Sequence, residues 1–290
     1  MSSNCFFKIA SVLLCFLSFS HPTLGSDQQP TITEQQRKVG LNSSKTTLED
    51  QFKVLTFNLE SGDADINYLM TMITRYMDEY DVIGFQEISP TWAQVIKGYI
   101  RKNSKNQGFI LGTTGGADRL GLIYRTDRLA LLETTELNHI NIGGAVRAPL
   151  VALLKVKTTG RLFYVINNHL YRSKRNIRHQ QCELLIAWSN QLKYPYIALG
   201  DYNLDYDVNS GQSDKGLSIL SKKWQWLEPE ELVPTQCSVR YQSILDFVFI
   251  GGLGSSEWEA SSKILESQDN YCPDNQMKSD HRPVSATIEI

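Results

Sequence analysis

The stretch Leu150-Val151-Ala152-Leu153-Leu154-Lys155-Val156-Lys157-Thr158-Thr159-Gly160-Arg161-Leu162-Phe163-Tyr164-Val165-Ile166-Asn167-Asn168-His169 decides the fold. It holds two apolar runs, Leu150 to Lys157 and Leu162 to Asn168, separated only by a Thr-Thr-Gly turn and one arginine. A parallel pair needs a crossover of about a dozen residues, so these runs form an antiparallel hairpin. Upstream, Leu120 to Arg125 and Leu129 to Leu137 repeat the pattern. The four runs read as consecutive strands of one antiparallel meander, not as repeated strand-helix crossovers.

Outward from this centre the pattern changes. Phe52 to Leu59 alternates as a strand, and Ile66, Leu69, Met70, Ile73 and Met77 recur at helical spacing. Asp81 to Phe85 is a short buried strand ending at Gln86-Glu87, and Ser89-Pro90 opens a second helix with an N-cap serine and a proline in its first turn. After the meander a helix spans Asn176 to Leu192, with Cys182, Leu185, Ile186 and Trp188 on its apolar side. Tyr196 to Leu199 is a buried strand ending at Gly200-Asp201; Ile244 to Ile250 and Val284 to Ile290 are the late strands. Helix-flanked strands at both ends and a meander between them give an α+β class. The arrangement is a four-layer α/β/β/α sandwich of two mixed, mainly antiparallel sheets. A doubly wound parallel sheet is the competing arrangement, and the meander argues against it.

The chain has 290 residues, 41% of them hydrophobic, and a formal net charge of -2. That is enough for one sizeable core, and it supplies no global positive field toward nucleic acid or membrane. Any polyanion must be held by a local patch or a metal. Lys8, the apolar run Ile9 to Phe19 and Thr23-Leu24-Gly25 read as a secretory signal peptide over residues 1–25. Residues 26–50 are polar and read as a disordered leader, leaving 51–290 as the one folded domain. Of five cysteines, Cys182, Cys237 and Cys272 follow the signal. In an oxidising compartment Cys237 and Cys272 are the candidates for pairing, with Cys182 a small buried hydrophobe; the odd count leaves the pairing open.

Five strand-flanking positions carry the chemistry: Asn58, Glu87, His169, Asp201, and His281 in Ser279-Asp280-His281-Arg282-Pro283. Phosphodiester hydrolysis needs a divalent cation, an activated water and a group to stabilise the leaving oxygen. Glu87 is either a metal carboxylate or an exposed glutamate at a helix start. Asp201 and Asn203, two apart, either share one side of the chain to act on water and phosphate or form an Asx turn. His169 closes an apolar strand and is either a site residue or a core histidine. Asp246 lies within Ile244 to Phe249, where a carboxylate is costly unless paired, and His281 is its natural partner.

Taken in order, Val54-Leu55-Thr56-Phe57-Asn58-Leu59, Gly84-Phe85-Gln86-Glu87, Asn168-His169-Leu170, Gly200-Asp201-Tyr202-Asn203, Leu245-Asp246-Phe247 and Ser279-Asp280-His281-Arg282-Pro283 resemble the endonuclease/exonuclease/phosphatase superfamily, on its deoxyribonuclease-I-like side, from Phe52 to Ile290. The resemblance implies Asn58, Glu87 and Asp280 around a Mg²⁺ ion, with Mn²⁺ or Ca²⁺ as substitutes. It implies that Asp201 aligns water, Asn203 contacts phosphate, and the Asp246-His281 pair serves as general base or phosphate ligand. His169 implies the branch with a second histidine. Asp118, before Arg119 to Arg125, is similar to an acid that orients that histidine, although the family group carries the longer Glu there. Arg147 in Val146-Arg147-Ala148-Pro149 resembles a phosphate contact, or is a surface charge. Glu60 aligns with a metal carboxylate in some branches. The run from Tyr171 to His179 either tracks a nucleic-acid backbone or is a solvated helix start. The expectation is a secreted or periplasmic, monomeric phosphodiesterase without an obligate protein partner. Its expected substrate is nucleic acid, and the alternative is a phospholipid or inositol phosphate. That alternative needs a membrane-docking loop, for which Trp224-Gln225-Trp226-Leu227 is the one candidate, or else core.

Overall fold

The computed structural model describes residues 51–104, 106–144, 146–267 and 270–290. The expected signal peptide and leader lie outside the described residues. One six-stranded sheet contains β1 (Gln51–Asn58), β2 (Val82–Ile88), β3 (Gln107–Leu111), β4 (Arg119–Arg125), β11 (Glu259–Ile264) and β12 (Val284–Glu289), in the order β11-β12-β1-β2-β4-β3. The other contains β5 (Leu129–Glu136), β6 (Leu150–Val156), β7 (Leu162–His169), β8 (Tyr196–Asp207), β9 (Trp224–Trp226) and β10 (Ser243–Gly251), in the order β5-β6-β7-β8-β10-β9. Each sheet holds one parallel pair near its centre, β1 with β2 and β7 with β8. The other pairings between these strands are antiparallel.

The parallel pairs need crossovers, which α1 (Ile66–Glu79) and α3 (Arg175–Ser189) supply. Asp65 caps α1 by accepting from the Tyr68 amide, and Leu69, Met72, Ile73, Tyr76 and Met77 form its buried stripe. The Ser-Pro start of α2 (Pro90–Asn103) forms as expected, with Ser89 Oγ accepting from the Trp92 amide. Alternation along β1 then sorts the layers. Phe52 and Val54 enter the core shared by the two sheets, whereas Leu55 and Phe57 pack with α1 and α2. On the far side α3 buries Cys182 and Leu185, and α4 (Lys215–Leu220) packs beside it. The result is the α/β/β/α sandwich.

Two expectations need correction. The four middle runs are not one meander: β4 pairs with β2 and β3, while β5 opens the other sheet. The chain changes sheets at Thr126-Asp127-Arg128. There Arg128 meets the nearly buried Asp81 at 2.7 Å and donates to the Gln51 carbonyl at 2.9 Å, which anchors the crossing. Likewise β8 does not stop at Leu199 but runs on to Asp207. Its pairing with β10 shifts between Ile244 and Asp246, and this irregularity leaves Asp201 within the strand rather than after it. Trp224 is buried among Tyr196, Tyr202 and Phe249, so the candidate membrane-docking segment is core.

Candidate active site

The carboxyl ends of both parallel pairs converge, and strand register does much of the positioning. His169 pairs in register with Asp201 across β7 and β8, and Asp201 with Asp246 across β8 and β10. From the facing sheet, the Asn58 Nδ2 donates to Asp201 Oδ2 at 3.2 Å and to Glu87 Oε1 at 3.3 Å. Alternation along β2 would turn Glu87 away from its inward neighbour Gln86. A left-handed backbone at Glu87 (φ 54°) brings its carboxylate back to Asn58. Asn203 also has positive φ (52°), and its side-chain amide donates to the Leu170 carbonyl at 3.2 Å. Non-glycine residues in this region are strained, and here the strain sits on site residues.

Beneath these groups a buried polar bridge fastens the sheets. Gln86 Nε2 donates to Asn167 Oδ1 at 2.7 Å, and Asn167 Nδ2 donates back to the carbonyls of Phe85 and Gly121 at 2.9 Å each. Gly84 permits the close approach, because a Cβ there would lie 2.1 Å from a Leu199 methyl. Sequence reasoning overlooked this bridge, although consecutive asparagines in an apolar strand were its signal.

Asp246 and His281 form the expected pair, with Oδ2 to Nδ1 at 2.7 Å and both side chains at most 4% exposed. Thr235, another residue missed in the sequence, accepts the backbone amides of Leu245 and Asp246 at 2.8 and 3.3 Å. Ser279 ties the histidine segment to the facing strand: its Oγ donates to the Asn58 carbonyl at 2.6 Å and accepts the His281 amide at 3.0 Å. Burial opposes charge on His281, but Asp246, Asp201 and Asp280 outweigh it and hold the imidazole well above its ordinary pKa. His169 is driven the other way, well below its ordinary value, by burial and by the charges of Arg147, His281 and Arg172. One imidazole is therefore disposed to carry a proton and the other to be neutral.

The expected Asp118-His169 pair does not form. Asp118 is about half exposed and lies 3.9 Å from Arg147, while among the described residues His169 Nδ1 has no hydrogen-bond partner. The aspartate falls a methylene short of the Glu that the resemblance implies. His169 Nε2 instead faces Asp201 Oδ2 at 3.3 Å and Glu87 Oε1 at 3.8 Å. Arg147 is largely buried, and burial lowers its pKa against the pull of Glu87, Asp201 and Asp118. Its loop is fixed by Glu136, which accepts from the backbone and hydroxyls of Thr113 and Thr114, and Thr114 Oγ1 accepts the Ala148 amide at 2.9 Å.

The candidate metal groups are linked in a chain. Glu87 meets Asn58, whose Oδ1 accepts the Glu60 amide at 3.1 Å, and Glu60 Oε2 accepts the Asp280 amide at 2.7 Å. Among the described residues, the acid and histidine set with all ligand atoms within 4.8 Å is instead Asp201, Asp246 and His281. Within that trio, Asp246 Oδ2 is already hydrogen-bonded to His281 Nδ1 at 2.7 Å. Asn58, Glu60, Glu87 and Asp280 offer the amide and carboxylate oxygens that a hard divalent cation takes. Charge balance agrees. Glu60 is pushed up to about 7 by burial and by the Asp280 carboxylate. Asp201 is pushed up to about 7 by burial and by Asp246 and Glu87, although His281 opposes the shift. This excess of crowded negative charge is what a divalent cation relieves.

The late disulfide braces the same region. Cys237 and Cys272 are bonded, and the Cys237 amide donates to the Asp280 carbonyl at 2.7 Å. Cys182 is free and buried, as expected.

Comparison with known proteins agrees with this architecture. No curated protein matches the chain. Among solved structures, a humanized D. rerio TDP2 is 15% identical with a TM-score of 0.67, covering 83% of this chain and 100% of that one. A Bacteroides thetaiotaomicron mannosyl-6-phosphatase is 17% identical with a TM-score of 0.62, covering 82% of this chain and 100% of its own. These likenesses show the fold. The sequence profile of the Endonuclease/Exonuclease/phosphatase family matches residues 55–281, a span that takes in every strand end from Asn58 to His281. The chain belongs to the endonuclease/exonuclease/phosphatase family.

Proposed function

We propose that the chain is a secreted or periplasmic, Mg²⁺-dependent nuclease that hydrolyses DNA or RNA by in-line attack of water on phosphorus. The observation that carries this reading is the convergence of Asp201, His169 and the Asp246-His281 pair beside the hydrogen-bonded residues Asn58, Glu60, Glu87 and Asp280. Asn58, Glu87 and Asp280, with Glu60, would hold the cation, which when bound neutralises phosphate charge and acidifies water.

The remaining roles follow from the side chains. Asp201 is buried with a pKa raised to about 7, suited to accept a proton from the attacking water near neutral pH. His281, kept protonated by Asp246, donates to a phosphate oxygen and stabilises charge as it develops. Neutral His169 contributes a hydrogen bond without adding positive charge. Arg147 presents a largely desolvated guanidinium to the same space, and Asn203 retains an amide proton for phosphate. A fold-level precedent exists: a D. rerio TDP2 structure with a TM-score of 0.64 was solved with a single-strand DNA product.

The test is a substrate panel with and without chelator: supercoiled DNA, RNA, sphingomyelin and a phosphoinositide. Metal-dependent cutting of DNA or RNA is the expected result. Intact nucleic acid with phosphate or phosphocholine released from the lipids would refute it.

A further inference from the structure

A cleft of about 510 Å³ opens beside the site, lined by Arg172, Lys174, Arg175, Arg178 and Asp205, among others. Its walls are continuations of the two strands that deliver catalytic groups. Arg172 follows His169 by three residues, no more than about 11 Å of extended chain. Asp205 follows Asn203 by two. Arg172 is near enough that its charge helps to keep His169 neutral.

The loop of this cleft is held by buried groups. The guanidinium of Arg178, only 2% exposed, donates to the carbonyls of Tyr171 at 2.9 Å and Arg172 at 2.7 Å and is anchored by Asp214 at 2.7 Å. Buried Gln181 accepts the Tyr171 amide at 2.9 Å. A merely solvated charge run needs no such support, since burying an arginine is costly unless it is paired.

The charges it presents are largely uncommitted. Among the described residues, neither Arg172 nor Lys174 has a carboxylate within ion-pair distance, unlike Arg75, Arg125 and Arg128. Lys174 lies over the Tyr171 ring, and Arg175 touches Asp214 at 3.3 Å while remaining mostly exposed. Lys174 is also the N-cap of α3 and, among the described residues, makes no side-chain cap bond, so the first turn that lines the cleft lacks a side-chain cap. Asp205 is met by Arg178 at 3.6 Å, so Arg172 and Lys174 are the two lining cations without a carboxylate partner among the described residues, in a protein whose net charge is -2.

We propose that this cleft is a second phosphate subsite, which holds a non-scissile phosphate of the nucleic-acid strand being cut at Asp201 and His281. The proposal rests on the nuclease reading. Its chemistry is charge-assisted hydrogen bonding to one phosphodiester, without base contacts, so it adds affinity but not sequence preference.

The experiment compares the wild-type protein with the double variant Arg172→Ala/Lys174→Ala, both exposed positions, on two substrates. One is a single-stranded oligonucleotide and the other is bis(4-nitrophenyl) phosphate, a diester with no second phosphate. On the oligonucleotide the variant should show a KM raised about tenfold, and a salt dependence of log KM shallower by about 0.7, the value for one phosphate no longer neutralised on a single strand. Its loss of kcat/KM on the small diester should be several-fold smaller. Equal losses on both substrates, or an unchanged salt slope, overturn the subsite while leaving the nuclease reading intact. A wild-type protein that cleaves the small diester but no oligonucleotide overturns the nuclease reading itself, and the subsite with it.

Discussion

Replacing Asp246 by Asn keeps the shape of the side chain and removes its charge, which isolates what the 2.7 Å contact with His281 does. Coulomb attraction at that distance is at most about 6 kcal/mol at an effective dielectric constant of roughly 20. The net value of a hydrogen bond to a charged group is nearer about 1.5–3 kcal/mol. The lost proton affinity of His281 should then lower kcat by roughly 10–150-fold. His281→Ala removes the phosphate-facing donor as well and should cost about 10²–10³-fold. Because the two act as a unit, the double variant should be no worse than His281→Ala. The assay is plasmid nicking under saturating metal. Folding is checked by urea denaturation, with Thr235 still holding the Leu245 and Asp246 amides. If the double variant loses the product of the single losses, about 10³–10⁵-fold and well beyond His281→Ala alone, the residues act independently and the pairing argument fails.

Three further outcomes are expected. Gly200→Ala should destabilise by about 4 kcal/mol or more, since the new Cβ would lie 2.0 Å from the Asn168 carbonyl oxygen at a φ of 143°; an unchanged urea midpoint would contradict this. Burial opposes charge on Asp214, but the Gly216 amide, Arg178 and His179 hold its carboxyl below the ordinary range. A depressed folded pKa stabilises above the unfolded value of about 3.9 and is lost as pH falls through the folded value. Asp214→Asn should therefore cost about 3–5 kcal/mol at pH 7, and the deficit should close in strong acid; a pH-independent deficit would show that charge is not its source. Finally, Glu60 and Asp201 both titrate near 7 in the metal-free protein, so adding Mg²⁺ at pH 7 should release about one proton and at pH 9 almost none. Calorimetry in buffers of different ionisation enthalpy measures this, and equal release at both pH values would refute it.

Local chemistry made much of the molecule readable in advance. Helices α1 and α2 follow from periodicity and the Ser89-Pro90 cap, and the polar strand ends Asn58, His169 and Asp201 stood out against apolar runs. The switch of sheets at Arg128 was not readable, because alternation shows that a strand has two faces but not which strand lies beside it. The direction of Glu87 depends on a left-handed residue that its sequence neighbours do not announce. Asp118 shows the limit of a matched position: one methylene less, and the carboxylate meets Arg147 and leaves His169 without it. Glu136, Thr235 and Ser279 were overlooked because each acts through backbone groups far away in the chain.

The pairing of Gln51 with Glu289 has a practical consequence. Strand β1 runs from Gln51 toward the site at Asn58, and β12 runs away from His281, so both described ends of the domain lie together, about 23 Å of strand from the reacting groups. A label or a solid support attached near Gln51 or Glu289 would therefore sit on the side of the domain away from the reacting groups and leave the site open to solution.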